Sequence, residues 1–162
     1  MNWEKLYELQ RDLDEKILNS IPQTREDILE HKILALIVEL GEFANETRCF
    51  KYWSKKGPNE REVILEEFVD GIHFLLSLGL DFHLTYELDE TKLETYPSLT
   101  TGIHKVFEQI HDFKQKPTQE NYTTLMNTYL SVGQMLNFTE EDIFDAYLEK
   151  NKVNHERQHS GY

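Results

Sequence analysis

The chain has 162 residues, 39% of them hydrophobic, and a formal net charge of −13. That length suits one domain with its own core. The charge excludes broad contact with a nucleic-acid backbone or an anionic membrane surface. An anionic substrate must therefore be met locally, by a few basic residues and by bound cations. Cys49 is the only cysteine, so no intramolecular disulfide can form, and a reducing cytoplasm is the expected compartment. The stretch from Met1 to Gln10 is amphipathic and charged, with no apolar signal region. No run of about 18 apolar residues predicts a membrane span.

Helical periodicity dominates. Trp3, Leu6, Tyr7, Leu9, Leu13, Ile17 and Leu18 predict a first helix over about residues 2–19, broken by Pro22. Thr24 with Asp27 reads as a capping box that opens a helix over about 25–48. Residues 54–60 read as a loop. Asn59 with Glu62 resembles another capping box, opening a helix over about 60–81. Residues 82–97 are less regular and predict a connecting segment with room for one turn of structure. Helices are expected at about 98–114 and 118–136, the second after Pro117, and Thr139 with Asp142 caps a last helix at about 140–156. The tail, His159 to Tyr162, is expected to fray unless a ligand orders it. No strand, repeat or low-complexity tract stands out. The expectation is a single all-α domain over residues 1–162, a multi-helix bundle of about six helices.

Two acid pairs interrupt the most apolar stretches: Glu39 with Glu42, and Glu67 with Asp70. Each pair has i, i+3 spacing, so both acids share a helix face. A short loop joins the two helices, which predicts antiparallel neighbours with the pairs facing one another. Four such carboxylates repel and resist ionisation unless a cation meets them. Hard oxygen donors without cysteine favour Mg²⁺, with Mn²⁺ as the alternative, over Zn²⁺. A di-iron site calls for Glu-x-x-His motifs, and the sequence offers none at the right place: Glu30-His31 is adjacent, and His73 follows Asp70 rather than a Glu. The plain alternative is two solvated acidic faces.

Lys150, Asn154 and Arg157 follow i, i+4, i+7 and form a basic stripe on the last helix, with Asn151 and Gln158 beside it. Such residues complement a helix C-terminus, or they hold phosphate oxygens.

Glu39-Leu40-Gly41-Glu42 followed by Glu67-Phe68-Val69-Asp70 resembles the ExxE…ExxD signature of the all-α nucleoside triphosphate pyrophosphohydrolases, which include MazG-like enzymes and dimeric dUTPases. Asp70-Gly71-Ile72-His73-Phe74, the segment Lys150-Asn151-x-x-Asn154-x-x-Arg157-Gln158 before Gly161-Tyr162, and Leu9-Gln10-x-x-Leu13-Asp14 resemble the dUTPase branch. Asp14 departs from the Asn expected in some relatives, and residues 82–140 carry none of the likeness. The resemblance implies Mg²⁺-dependent hydrolysis of dUTP to dUMP and pyrophosphate, which keeps uracil out of DNA, by a homodimer. It implies metal ligation by Glu39, Glu42, Glu67 and Asp70, with Glu42 activating water. Lys150, Asn154 and Arg157 would hold phosphates, with Lys51 and Lys55 as weaker candidates. Gln10 and Asp14 fall where the base would be contacted, with Trp53 and Phe74 walling the ring. His73 reads as a core histidine, Glu66 as solvated, and Glu46 as solvent-facing or as support behind the metal ligands. The competing readings are a related pyrophosphohydrolase acting on dCTP or a modified nucleotide, and a non-enzymatic helical interaction module.

Overall fold

The computed structural model describes residues 2–161 and is all-helical: α1 (Trp3–Asn19), α2 (Arg25–Thr47), α3 (Arg61–Asp81), α4 (Leu99–Gln115), α5 (Gln119–Met135) and α6 (Glu140–His159). A single 3-10 turn, Glu90–Lys92, is the one turn of structure in the connecting segment. No strand occurs among the described residues. Tyr162, the end of the C-terminal motif, lies outside them.

The capping boxes at Thr24/Asp27 and Thr139/Asp142 form as expected, each with both reciprocal hydrogen bonds. The one expected at Asn59/Glu62 does not. The N-cap of α3 is Glu60, with no side-chain cap, while Asn59 Nδ2 donates to Glu46 at 2.7 Å. Asn59 therefore ties the loop back to the end of α2, and Glu46 is its anchor. The last helix also continues past residue 156 to His159, with Ser160 as its C-cap. Lys16 Nζ on α1 lies 3.2 Å from His155 Nδ1 and 3.3 Å from His159 Nε2, which holds this extra turn against the bundle.

α2 and α3 form the central antiparallel pair. Lys32 meets Asp81 at one end, and the Asn59 amide nitrogen meets the Glu46 carbonyl at the other. α3 is the spine of the bundle and packs against α1, α2, α5 and α6. Two of its residues are glycines for a steric reason. A Cβ at Gly71 would strike the Tyr129 ring, and one at Gly79 the Tyr122 ring. The gaps let both α5 tyrosines reach the α3 backbone, where Tyr129 donates to the Phe68 carbonyl at 2.5 Å and Tyr122 to the Leu75 carbonyl at 2.8 Å. Buried hydroxyls thus find partners without interrupting the helix. Phe43, Phe68, Leu36, Leu40, Ile72 and Leu76 fill the space between the layers.

Candidate active site

The acids lie where α2 and α3 face each other. Glu39, Glu67 and Asp70 each bring one carboxylate oxygen to within 4.8 Å of the others. Glu42 is exposed and sits at the edge of this trio, within hydrogen-bonding reach of Glu39 and Glu67. Burial, then the neighbouring negative charges, push Glu39 up to about 8 and Glu67 up to about 7. Asp70 is raised by burial too, against the pull of Lys150. Buried oxygens Glu39 Oε2 and Glu67 Oε2 have no hydrogen-bond partner. Unpartnered, crowded carboxylate oxygens are what a hard divalent cation requires, so the donor set fits Mg²⁺ or Mn²⁺.

The basic stripe divides in two. Lys150 Nζ contacts Asp70 at 3.1 Å and Glu66 at 2.9 Å, so it serves as an internal counter-ion to the acid cluster. Burial alone would depress this ammonium, but the two carboxylates outweigh burial and hold it above its ordinary value. Glu66 is exposed, as expected, but it is an ion-pair partner rather than a merely solvated acid. Asn154 and Arg157 instead line a cavity of about 430 Å³ between α1, α2, α3 and α6. Asn151 is buried beneath that face, and Gln158 joins the lining.

The cavity has Glu39 and Asp70 at one end. Leu13, Ile17, Leu18 and Ile28 supply apolar walls with Phe74. Gln10, Asp14, His73 and Ser77 form a buried polar network among its lining residues. Gln10 Nε2 donates to Asp14 Oδ1 at 2.9 Å, and Ser77 Oγ donates to Asp14 Oδ2 at 2.7 Å. Tyr147 donates to Gln10 Oε1 at 2.8 Å, and His73 Nδ1 lies 2.8 Å from the same oxygen. This alters the expectation for Gln10: its carbonyl is engaged twice, so only an N–H is left for a ligand. Burial raises Asp14 above its usual value, opposed by its bonds to Ser77 and Gln10.

Lys51, Trp53 and Lys55 do not line this cavity. They lie in the loop after α2, where Trp53 is 64% exposed and packs edge-on against Tyr52 and Phe50. Sequence reasoning missed Lys32 and Ser77 as lining residues, while His73 is buried, as expected, and lines the cavity as well. The signal was present in the spacing. Lys32 is two helical turns before Glu39, and Ser77 is two turns after Asp70, on the same faces as the acids. A larger cleft, about 1030 Å³, opens between the start of α1 and residues 80–87, but none of the acid trio lines it.

A carboxylate trio thus heads a cavity of about 430 Å³ in an all-helical bundle. The family model described as dUTPase matches residues 2–162, and the chain belongs to this all-α dUTPase family. Its activity is therefore that of a dUTP diphosphatase, the hydrolysis of dUTP. No curated protein matches the chain.

Proposed function

We propose that the site hydrolyses dUTP to dUMP and pyrophosphate with Mg²⁺ held by Glu39, Glu67 and Asp70, and with Glu42 at its outer edge. The observation that carries this reading is the convergence of three carboxylates within 4.8 Å, two of them with unpartnered buried oxygens. When bound, a divalent ion supplies Lewis-acid stabilisation of charge on the phosphates.

The protein's own groups would do the rest. Glu42 is exposed at the rim, where water can reach it, and takes the proton of the attacking water. Arg157 and Asn154 hold phosphate oxygens from α6, the former in fork geometry. Lys150, already beside Asp70, follows the negative charge from the acid cluster to the incoming triphosphate. Phe74 and the leucine and isoleucine walls exclude water from the base, while Gln10 offers its remaining N–H to a base carbonyl. In this reading Lys51 and Lys55 attract the polyphosphate from the loop after α2, and Trp53 belongs to a subunit contact.

A homodimer is the proposed assembly. Leu34 and Val38, one turn apart on α2, are 59% and 50% exposed, and Tyr52 is 92% exposed. Exposed apolar groups of this size suit burial against a second copy. No helix among the described residues is long and apolar enough to cross a membrane. The cytoplasm, where the nucleotide pool lies, is the proposed compartment.

The test is pyrophosphate release from a panel of dUTP, dCTP and dTTP, with Mg²⁺ and with chelator. The expected result is release from dUTP alone and only with metal. Equal release from dCTP would replace this substrate assignment with the related-pyrophosphohydrolase reading.

A further inference from the structure

Residues 155–159, His-Glu-Arg-Gln-His, form the last turn of α6. Two histidines four apart share a helix face, and a Glu after the first completes a pattern by which helices chelate zinc. No other two of the chain's seven histidines lie so close in sequence.

The fold adds a second observation. Both rings meet the same atom: Lys16 Nζ on α1 lies 3.2 Å from His155 Nδ1 and 3.3 Å from His159 Nε2. An ammonium has only N–H donors, so each of these ring nitrogens accepts. A neutral His155 then carries its proton on Nε2, and a neutral His159 on Nδ1. Two imidazole lone pairs from successive turns of one helix are thus aimed at one cation. Partial burial, then the Lys16 charge, hold His155 below its ordinary value, so its lone pair is available at neutral pH. The pair stands apart from the acid trio's cavity: Arg157 and Gln158 line that cavity, while Lys16, His155 and His159 do not.

We propose that His155 Nδ1 and His159 Nε2 form a second metal site, for a borderline divalent cation of the Zn²⁺ class, with Lys16 as its placeholder in the metal-free protein. Imidazole nitrogen selects such ions over Mg²⁺, which keeps the site chemically distinct from the carboxylates. Zn²⁺ binds imidazole at about 2.0–2.1 Å, so it takes the point held by Lys16 Nζ once the rings close by about 1 Å. His159 is exposed and His155 partly so, which leaves their rotamers room to close. Asp12, one turn before Lys16 on α1, acts on His155 with its negative charge and favours a cation there. Among the described residues no third His, Cys, Asp or Glu donor converges with the pair, so water completes the coordination and the site is a clip rather than a hydrolytic centre. A metal bridging residues 155 and 159 locks the turn that carries Arg157 and Gln158 into the cavity.

The test is titration of ZnCl₂ into the intact chain, followed by ¹⁵N NMR of the histidine rings. Excess Mg²⁺ is included to compete at the acid trio. One Zn²⁺ per chain should move His155 Nδ1 and His159 Nε2 together, leave the other five histidines in place, and raise the melting temperature. His155→Asn/His159→Asn should lose this binding with its circular dichroism unchanged. Lys16→Ala should take up Zn²⁺ at lower concentration, because no ammonium competes; an unchanged midpoint overturns the placeholder role. Zn²⁺ that leaves both histidine resonances in place overturns the site. So does binding kept in the histidine variant and lost in Glu39→Gln/Asp70→Asn, which would assign the ion to the acid trio alone. None of these readouts uses nucleotide turnover, so the inference stands or falls apart from the dUTP reading.

Discussion

The two ends of the cavity are built on opposite principles. At one end, Gln10, Asp14, Ser77, His73 and Tyr147 satisfy one another through four hydrogen bonds of 2.7–2.9 Å, leaving one ring nitrogen over. At the acid end, Glu39, Glu67 and Asp70 crowd together with orphaned oxygens and a single neighbouring lysine. The first end is stable as it stands. The second is destabilised by like charge until a cation arrives. Such a cavity is rigid at its hydrogen-bonded end and stores repulsion at its acid end.

The contrast can be broken most sharply at the rim. Glu42→Gln should lower turnover by roughly 100- to 10,000-fold while leaving the helical circular dichroism intact; near-normal turnover in a steady-state assay would remove its role as base. Lys150→Ala should lower kcat/KM for dUTP by about 10- to 100-fold, the scale of one charge-assisted contact. Because Asp70 loses its counter-ion, the same variant should melt earlier in chelator, a second readout that a purely remote lysine would not give.

Stability separates the two ends by sign. Ser77→Ala should destabilise the protein by about 1–3 kcal/mol in denaturant titration, since Asp14 is left with an unsatisfied buried oxygen. Glu39→Gln should do the reverse in chelator and raise the melting temperature, because it removes one of the repelling charges. The pH dependence follows the same logic. Glu39 and Glu67 lie near the ordinary 4.5 when unfolded and at about 8 and 7 when folded. The unfolded chain therefore releases these protons first, and metal-free stability is fullest below about pH 4.5 as far as these two groups go. It declines as pH rises from there towards 8, then levels off. Melting curves in chelator at pH 5.5 and pH 8 should show this loss, reduced in Glu39→Gln. The smallest effect is expected at Trp53→Ala, which should leave kcat for dUTP almost unchanged and weaken self-association in sedimentation analysis.

The acid trio was legible because acids at i, i+3 inside apolar runs are costly to bury without a cation between them. The six helices were legible because Trp3 to Leu18, and the capping pairs at Thr24 and Thr139, obey local rules. What stayed hidden depended on contacts across the fold. Asn59 has the spacing of a capping box, yet it donates to Glu46 across the loop. Lys150 was visible as a basic position, but its partners, Glu66 and Asp70, lie on another helix. Gln10 looked like a free donor and acceptor, and only Tyr147 and His73, from α6 and α3, show its carbonyl to be used. Trp53, an aromatic beside a polar loop, is 64% exposed and is not among the residues that line the cavity.

The most direct test of the account is calorimetric titration of Mg²⁺ into the metal-free protein at pH 8, for the wild type and for the Glu39→Gln/Asp70→Asn double variant. The account predicts saturable binding in the wild type and none in the double variant. A wild type without saturable binding, or a double variant that binds as well, would contradict it.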